Sequence, residues 1–460
     1  MNLTFILIII TSTLGGQNNI NHVTDSNSLN VNTFNFPNDF LWGTATAAHQ
    51  VEGNCVNNNW SNWETSPSSH DYSFLHSKQP AGTACDHWKR YPEDIRLMRE
   101  LGVNAYRFSV EWSKIEPEQG EFSQNALTHY SMVIDSLIAQ GITPMITLHH
   151  FTNPIWFEKL GAFERQENIQ YFVKFSQKVF EKFSDRVLYW CTINEPAVYT
   201  VQGYFTGIFP PEKQNIRLAA IVLKNLIRAH VDVYFALKES QNGENCQIGF
   251  VKNINQFKPL REWHPVDQLT AWFSNHFYND AILYCLMTNE YRLKIPILSG
   301  ENEIIQNASQ SYDFIGLNYY SHNFLKFQLF STPHVNVAFP EKEIKTDMPY
   351  TMYAQGFYDA IESVSKLKKP VIITENGVAD REDKIRSKWI TDYLNQLVIA
   401  LENGIDIRGY FYWSLLDNYE WAEGYHMKFG LYEVDFKTQQ RTLREGSKTF
   451  QKIIKSKISP

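Results

Sequence analysis

Leu188-Tyr189-Trp190-Cys191-Thr192-Ile193 is an apolar, aromatic and β-branched run that empties into Asn194-Glu195-Pro196. Such a run predicts a buried strand. A strand that only built core would end in turn residues, and this one ends in an amide beside a carboxylate. Pro370-Val371-Ile372-Ile373-Thr374 repeats the pattern and runs into Glu375-Asn376-Gly377. Working outward, six further strands are predicted: Phe40–Ala47, Asn104–Trp112, Thr143–His149, Gln247–Val251, Asp313–Asn318 and Arg408–Leu415. Amphipathic patterns lie between them: Tyr91 to Leu101, Asn125 to Gln140, Gln166 to Phe183, Arg217 to Lys238, Pro265 to Leu286, Tyr353 to Leu367, Lys384 to Glu402 and Ser447 to Lys457. Eight strands alternating with helices predict an α/β fold, a single (β/α)8 TIM barrel with extended βα loops over residues 36–460. Phe324 to Tyr350 reads as an irregular excursion over the barrel top.

The 460 residues carry 42 Lys+Arg against 49 Asp+Glu, a net charge of -7. This mild acidity argues against a nucleic-acid partner. Apolar residues at 43% and charged residues at 20% exclude global disorder. Aromatics reach 15%, a supply of flat faces suited to sugar rings as well as to core packing. Met1 to Gly16 is a short apolar run ending in small residues, without a positive n-region. It is read as a signal peptide, too short to span a bilayer. No later segment approaches a membrane-spanning length. Gln17 to Asn35 is read as a flexible leader. Secretion would make Asn59-Trp60-Ser61 and Asn307-Ala308-Ser309 glycan acceptors. The five cysteines form no Cys-x-x-Cys pair, and Cys55 and Cys85 fall close enough in sequence to bond after export.

In an eight-stranded barrel the chemistry sits at the βα loops, and strands four and seven face one another across the mouth. Two carboxylates placed there can divide acid and nucleophile roles. Polar residues also collect at the other strand ends: Gln50, Arg107, His149 with His150, Asn318 with Tyr320, and Trp413. Seven motifs occur in order. They are Phe40-Leu41-Trp42-Gly43-Thr44-Ala45-Thr46-Ala47-Ala48-His49-Gln50-Val51-Glu52-Gly53, Tyr106-Arg107-Phe108-Ser109 and Thr147-Leu148-His149-His150, then Thr192-Ile193-Asn194-Glu195-Pro196 and Asn318-Tyr319-Tyr320, and finally Ile373-Thr374-Glu375-Asn376-Gly377 and Trp413-Ser414-Leu415-Leu416-Asp417-Asn418-Tyr419-Glu420-Trp421. Together they make the chain resemble glycoside hydrolase family 1, the β-glucosidase family, from Phe36 to about Ile454.

The resemblance implies roles. Glu375 would be the nucleophile and Glu195 the acid, then the base, of a retaining β-glycosidase. Retention requires carboxyl groups about 5–5.5 Å apart. Arg107, Asn318 and Tyr320 would support Glu375. Asn194 would bind the sugar 2-hydroxyl, and Gln50, His150 and Glu420 the 3- and 4-hydroxyls, with Trp421 as a further donor. Trp413 would be the platform under the ring. Glu423 would face the 6-hydroxyl and repel a phosphate there, and Phe429 stands where a phosphate-binding Tyr would be sought, so an unphosphorylated β-D-glucoside is the implied substrate. No metal, nucleotide or flavin motif is visible, and this mechanism needs none.

Other residues have plainer readings. His149 is read as a packed histidine, Trp42, Trp112 and Trp190 as core, and Glu52 and Glu111 as structural ion-pair members. Trp156 and Phe157 either line the aglycone entrance or pack. Phe151 and Thr152-Asn153-Pro154 depart from the family's commoner Trp and Asp-Leu-Pro, which puts the aglycone edge in question. Three alternatives are weighed. A Klotho-like binding protein would lack a glutamate, a thioglucosidase commonly replaces the acid with Gln, and a transglycosidase would differ only in acceptor.

Overall fold

The computed structural model describes residues 30–66, 79–295, 300–328 and 335–458. Eight strands form the barrel: β1 Leu41–Thr46, β2 Ala105–Ser109, β3 Thr143–His149, β4 Tyr189–Asn194, β5 Gln247–Pro259, β6 Phe314–Phe327, β7 Val371–Asn376 and β8 Ile407–Trp413. Every neighbouring pair is parallel, and the β1–β8 and β7–β6 ladders complete the closure. Closure leaves the barrel staves themselves without a free edge, so their Val, Ile, Leu and aromatic residues are largely buried on both faces. At Gly43 a β-carbon would meet the Phe411 ring at 2.3 Å, so that crossing of β1 and β8 tolerates only glycine.

A long helix follows each strand on the outside. Those after β1 to β4 are His87–Leu101, Gln124–Ala139, Ile169–Phe183 and Ile216–Glu239, and those after β6 to β8 are Ala354–Ser365, Arg386–Glu402 and Lys448–Ile458. The Ser123 and Asn215 side chains cap two of them, and Gly102 at φ 97° closes the first as the sequence pattern predicts. After β5 the predicted single helix is bent. Pro265–Asn275 passes through a π-turn at His276–Asp280 before Ala281–Thr288.

Several expectations are corrected. The second strand ends at Ser109, and Glu111 caps a short helix, Trp112–Ile115, instead of continuing it. Glu111 is no ion-pair member. Its carboxylate accepts from Asn58, Ser113 and Thr152, whereas Glu52 does pair with Lys114 at 2.8 Å. The predicted excursion from Phe324 to Tyr350 is not irregular at its start, because β6 runs on to Phe327 beside the long β5 and pairs antiparallel with Val335–Ala338. Cys55 and Cys85 are separate buried thiols, each pushed up in pKa by burial, and Cys85 donates to the Asp417 carbonyl. The flexible leader does not extend to Asn35: Val31 is fully buried and its N–H donates to Asn395, and Lys457 donates to the carbonyls of Asn32 and Phe34. Met1–Gly16 and the rest of the leader up to Leu29 lie outside the described residues. Among the described residues no helix is long and apolar enough to cross a membrane.

Candidate active site

The ends of β4 and β7 bring two glutamates to the same mouth. Glu375 lies in register with Asn318 of β6. One of its oxygens accepts from Arg107 Nη1 at 2.7 Å and the other from the Tyr320 hydroxyl at 2.7 Å. Burial pushes its carboxyl up, while the Arg107 charge and the Tyr320 donor pull it back toward the ionised form. Glu195 follows β4 at φ 47°, with its N–H bonded to the Val251 carbonyl, so a left-handed turn swings its side chain over the barrel mouth. Its Oε1 accepts from two neutral amides, Asn318 Nδ2 at 2.7 Å and Asn253 Nδ2 at 2.9 Å. Burial and the charge of Glu375 push its carboxyl up to about 7. A carboxyl drawn toward the ionised form by a cation and a phenol, beside one whose burial and charged neighbour favour the proton, is the pairing that separates a nucleophile from a general acid.

Arg107 organises the floor. Its Nε donates to Thr147 Oγ1 at 3.0 Å and its Nη2 to Asn194 Oδ1 at 2.7 Å, so a fully buried guanidinium ties β2, β3, β4 and β7 together. Asn318 has a broader place than the predicted support of Glu375. It bridges Asn194 and Glu195, accepts from Thr374 Oγ1, and opposes the upward push of burial on Glu375.

Beside the carboxyls lies a second cluster. Gln50 Nε2 reaches the Tyr419 carbonyl at 2.7 Å and Glu420 Oε2 at 3.2 Å. His150 Nε2 meets Asn194 Nδ2 at 3.0 Å. Burial, with Arg107 nearby, keeps that imidazole neutral. Burial and Glu375 push Glu420 up to about 8. Gln50 Oε1 and His150 Nδ1 are buried with no hydrogen-bond partner among the described residues. Leaving such atoms unpaired costs about 1–3 kcal/mol each, which a hydroxyl-rich ligand would recover. The His150 ring is within about 30° of parallel to both Trp413, at 5.9 Å, and Trp421, at 5.8 Å. Phe429 stands edge-on to Tyr320 at 6.0 Å, and Glu423 ends the short turn Trp421–Glu423, half-buried.

The plainer readings divide. His149 packs edge-on to Phe163, Phe172 and Tyr199 and hydrogen-bonds Asn153. Trp156 and Phe157 are buried against Trp112, which decides for packing. Phe151 packs on Trp421 at 5.1 Å. Asn59 is no acceptor site: its amide is buried, donates to the Phe151 carbonyl and accepts from Asn153 N–H. Asn307 is exposed. Asn253 escapes the sequence reading because the apolar run of the fifth strand ends at Val251. The signal was present, since an amide at the close of an apolar strand is what marked Asn194 and Asn376.

Residues 32–458 match the family described as Glycosyl hydrolase family 1. The chain belongs to that family. Beta-glucosidase A of Thermotoga maritima is 34% identical over 452 residues, which cover 93% of this chain and 99% of that one. The beta-glycosidase from Pyrococcus horikoshii superposes with a TM-score of 0.82 at 37% identity, covering 92% of this chain and 95% of the other. The Thermotoga maritima beta-glucosidase in complex with glucoimidazole superposes with a TM-score of 0.82 at 31% identity, covering 92% and 99%. The family 1 chain is thus a glycosyl hydrolase on a TIM barrel, and the retaining mechanism is typical of its family.

Proposed function

We propose that this family 1 hydrolase removes terminal non-reducing β-D-glucosyl residues, with Glu375 as nucleophile and Glu195 as acid/base. The observation that carries the assignment is the unequal solvation of the two carboxyls. A guanidinium and a phenol donate to Glu375, and among the described residues the side chains that donate to Glu195 are neutral amides. Glu375 attacks the anomeric carbon as the glycosidic C–O bond breaks, and the Glu195 proton goes to the leaving oxygen. Glu195 then takes a proton from water, whose oxygen displaces Glu375 from the sugar.

The unpaired Gln50 and His150 atoms, with Asn194, Glu420, Trp413 and Trp421 around them, support a sugar ring in the second cluster. Glu423 and the phenolic-free Phe429 favour an unphosphorylated 6-hydroxyl. The substrate reading expects hydrolysis of nitrophenyl β-glucoside, with some tolerance of β-galactoside or β-fucoside. Cleavage of 6-phospho-β-glucoside alone would overturn it.

Azide separates the two glutamates. Glu195→Ala can still form the glycosyl-enzyme from an activated aryl glycoside, and azide needs no base, so the product is the β-glycosyl azide. Glu375→Ala cannot form that intermediate, and direct attack gives the α-azide. The reverse pairing, read by NMR of the products, means that the roles are exchanged.

Met1–Gly16 supports export, and exposed Asn307 is the acceptor that would then carry glycan. Protein recovered from a eukaryotic secretory host should lose one glycan in Asn307→Gln. An intact N-terminus on protein recovered from cytosol would overturn the export reading.

A further inference from the structure

Next to Asn253 on β5, the fully buried Lys252 reaches the bent segment His276–Asp280. Its ammonium sits 4.7 Å from the centre of the Tyr278 ring and 3.3 Å from Asn279 Oδ1. Among the described residues no carboxylate lies within ion-pair distance of it. An ammonium buried without an anion costs several kcal/mol, and a leucine would fill the same space without that penalty. What the ammonium touches leads back to the reaction. The Tyr278 hydroxyl donates to Asn253 Oδ1 at 3.0 Å, and Asn253 Nδ2 donates to Glu195 Oε1 at 2.9 Å.

We propose that Lys252 is a positioning residue of the acid/base unit: its ammonium anchors the Tyr278–Asn253 arm that grips Glu195, and its charge sets the upper pH limit of activity. This rests on the reading of Glu195 as the acid. The groups that face Lys252 are few. Glu195 comes from the β4 end, and Tyr278 and Asp280 from the bent segment, where His276 acts on Asp280. β6 sets apolar Leu317 in register with it, and Tyr199, on the short helix after β4, is held by Asn153.

Burial pushes Lys252 down to about 7, with Glu195 and Asp280 opposing. Glu195 is pushed up to about 7. Both values fall in one pH range, so the charge on Lys252 bears on the proton of Glu195. The sign follows from charge. A charged Lys252 favours the Glu195 carboxylate, so it lowers the pH at which the acid loses its proton. When Glu195 gives that proton to the leaving group, the same charge stabilises the carboxylate left behind.

The test is the pH profile of kcat/KM, whose alkaline limb reports the acid in the free enzyme. Lys252→Met should move that limb upward by about half a unit or more. Lys252→Arg keeps a charge that cannot be lost, so the limb should move downward. A merely structural lysine would lower melting temperature or rate in both variants and leave the limb in place. A folded Lys252→Met or Lys252→Arg enzyme with the wild-type limb overturns the proposal, and if the Met variant fails to fold, the Arg variant decides alone. Glu195→Gln serves as the control. If it retains the limb, the acid has been misassigned and the proposal falls for that reason, not through Lys252.

Discussion

The ends of β4 and β7 are near copies in sequence, Thr-Ile-Asn-Glu and Thr-Glu-Asn after apolar strands, yet their glutamates live in different solvents. Glu375 exchanges water for a guanidinium and a phenol, Glu195 for two carboxamides. Both are buried, so desolvation does not distinguish them. The difference is supplied by neighbours from other strands, Arg107 from β2 and Tyr320 from β6 against Asn253 from β5. Closure of the barrel delivers those neighbours, so role is a property of the ring of strands and not of either motif alone.

The strongest way to break this contrast is to remove the cation. Arg107→Met leaves Glu375 buried without its cation and also strips Asn194 of a partner. Losing one side of such a pair costs about 3–5 kcal/mol, so kcat/KM should fall by roughly three orders of magnitude. The acid limb of the profile should move upward, because Glu375 needs a higher pH to ionise. A fall without a moved limb would mean that Arg107 only holds the barrel together.

Tyr320→Phe sharpens the same point at smaller cost. It takes away the donor at 2.7 Å from Glu375 and leaves the ring packed on Phe429. Removing a hydrogen bond to a charged group costs about 1.5–3 kcal/mol, so a loss of about ten- to a hundredfold is expected. Again the acid limb should rise, with the alkaline limb unmoved. Movement of the alkaline limb instead would attach Tyr320 to the acid and reverse the contrast.

Much of this site was legible in the chain because strand ends are local events. An apolar run followed by Asn-Glu or Glu-Asn marks both carboxyls, and all eight barrel strands are recovered with their order. Strand lengths were not legible. β5 and β6 run well past their apolar stretches because each pairs with the other, and pairing between residues some 65 positions apart leaves no periodicity in either. Asn253 and Lys252 were lost for that reason. Asn59 failed in the other direction: the tripeptide is a surface signal only where the asparagine is exposed, and here contacts with Phe151 and Asn153 bury it.

The smallest expected effect tests the neutral side of the comparison. Asn253→Ala removes one of the two amide donors to Glu195, while Asn318 remains. Donation to a carboxylate favours its ionised form, so its loss should raise the pH at which Glu195 gives up its proton. The alkaline limb of kcat/KM should therefore move upward and the acid limb stay, the converse of Tyr320→Phe. The rate at neutral pH should fall by less than about tenfold, since a neutral hydrogen bond contributes about 0.5–1.5 kcal/mol. Leaving groups give a second readout. Cleavage of alkyl glycosides, which needs the proton, should respond more than cleavage of activated aryl glycosides, which hardly needs it. Equal losses on both substrates with neither limb displaced would mean that Asn253 holds only the Tyr278 arm in place, and that Asn318 alone solvates the acid.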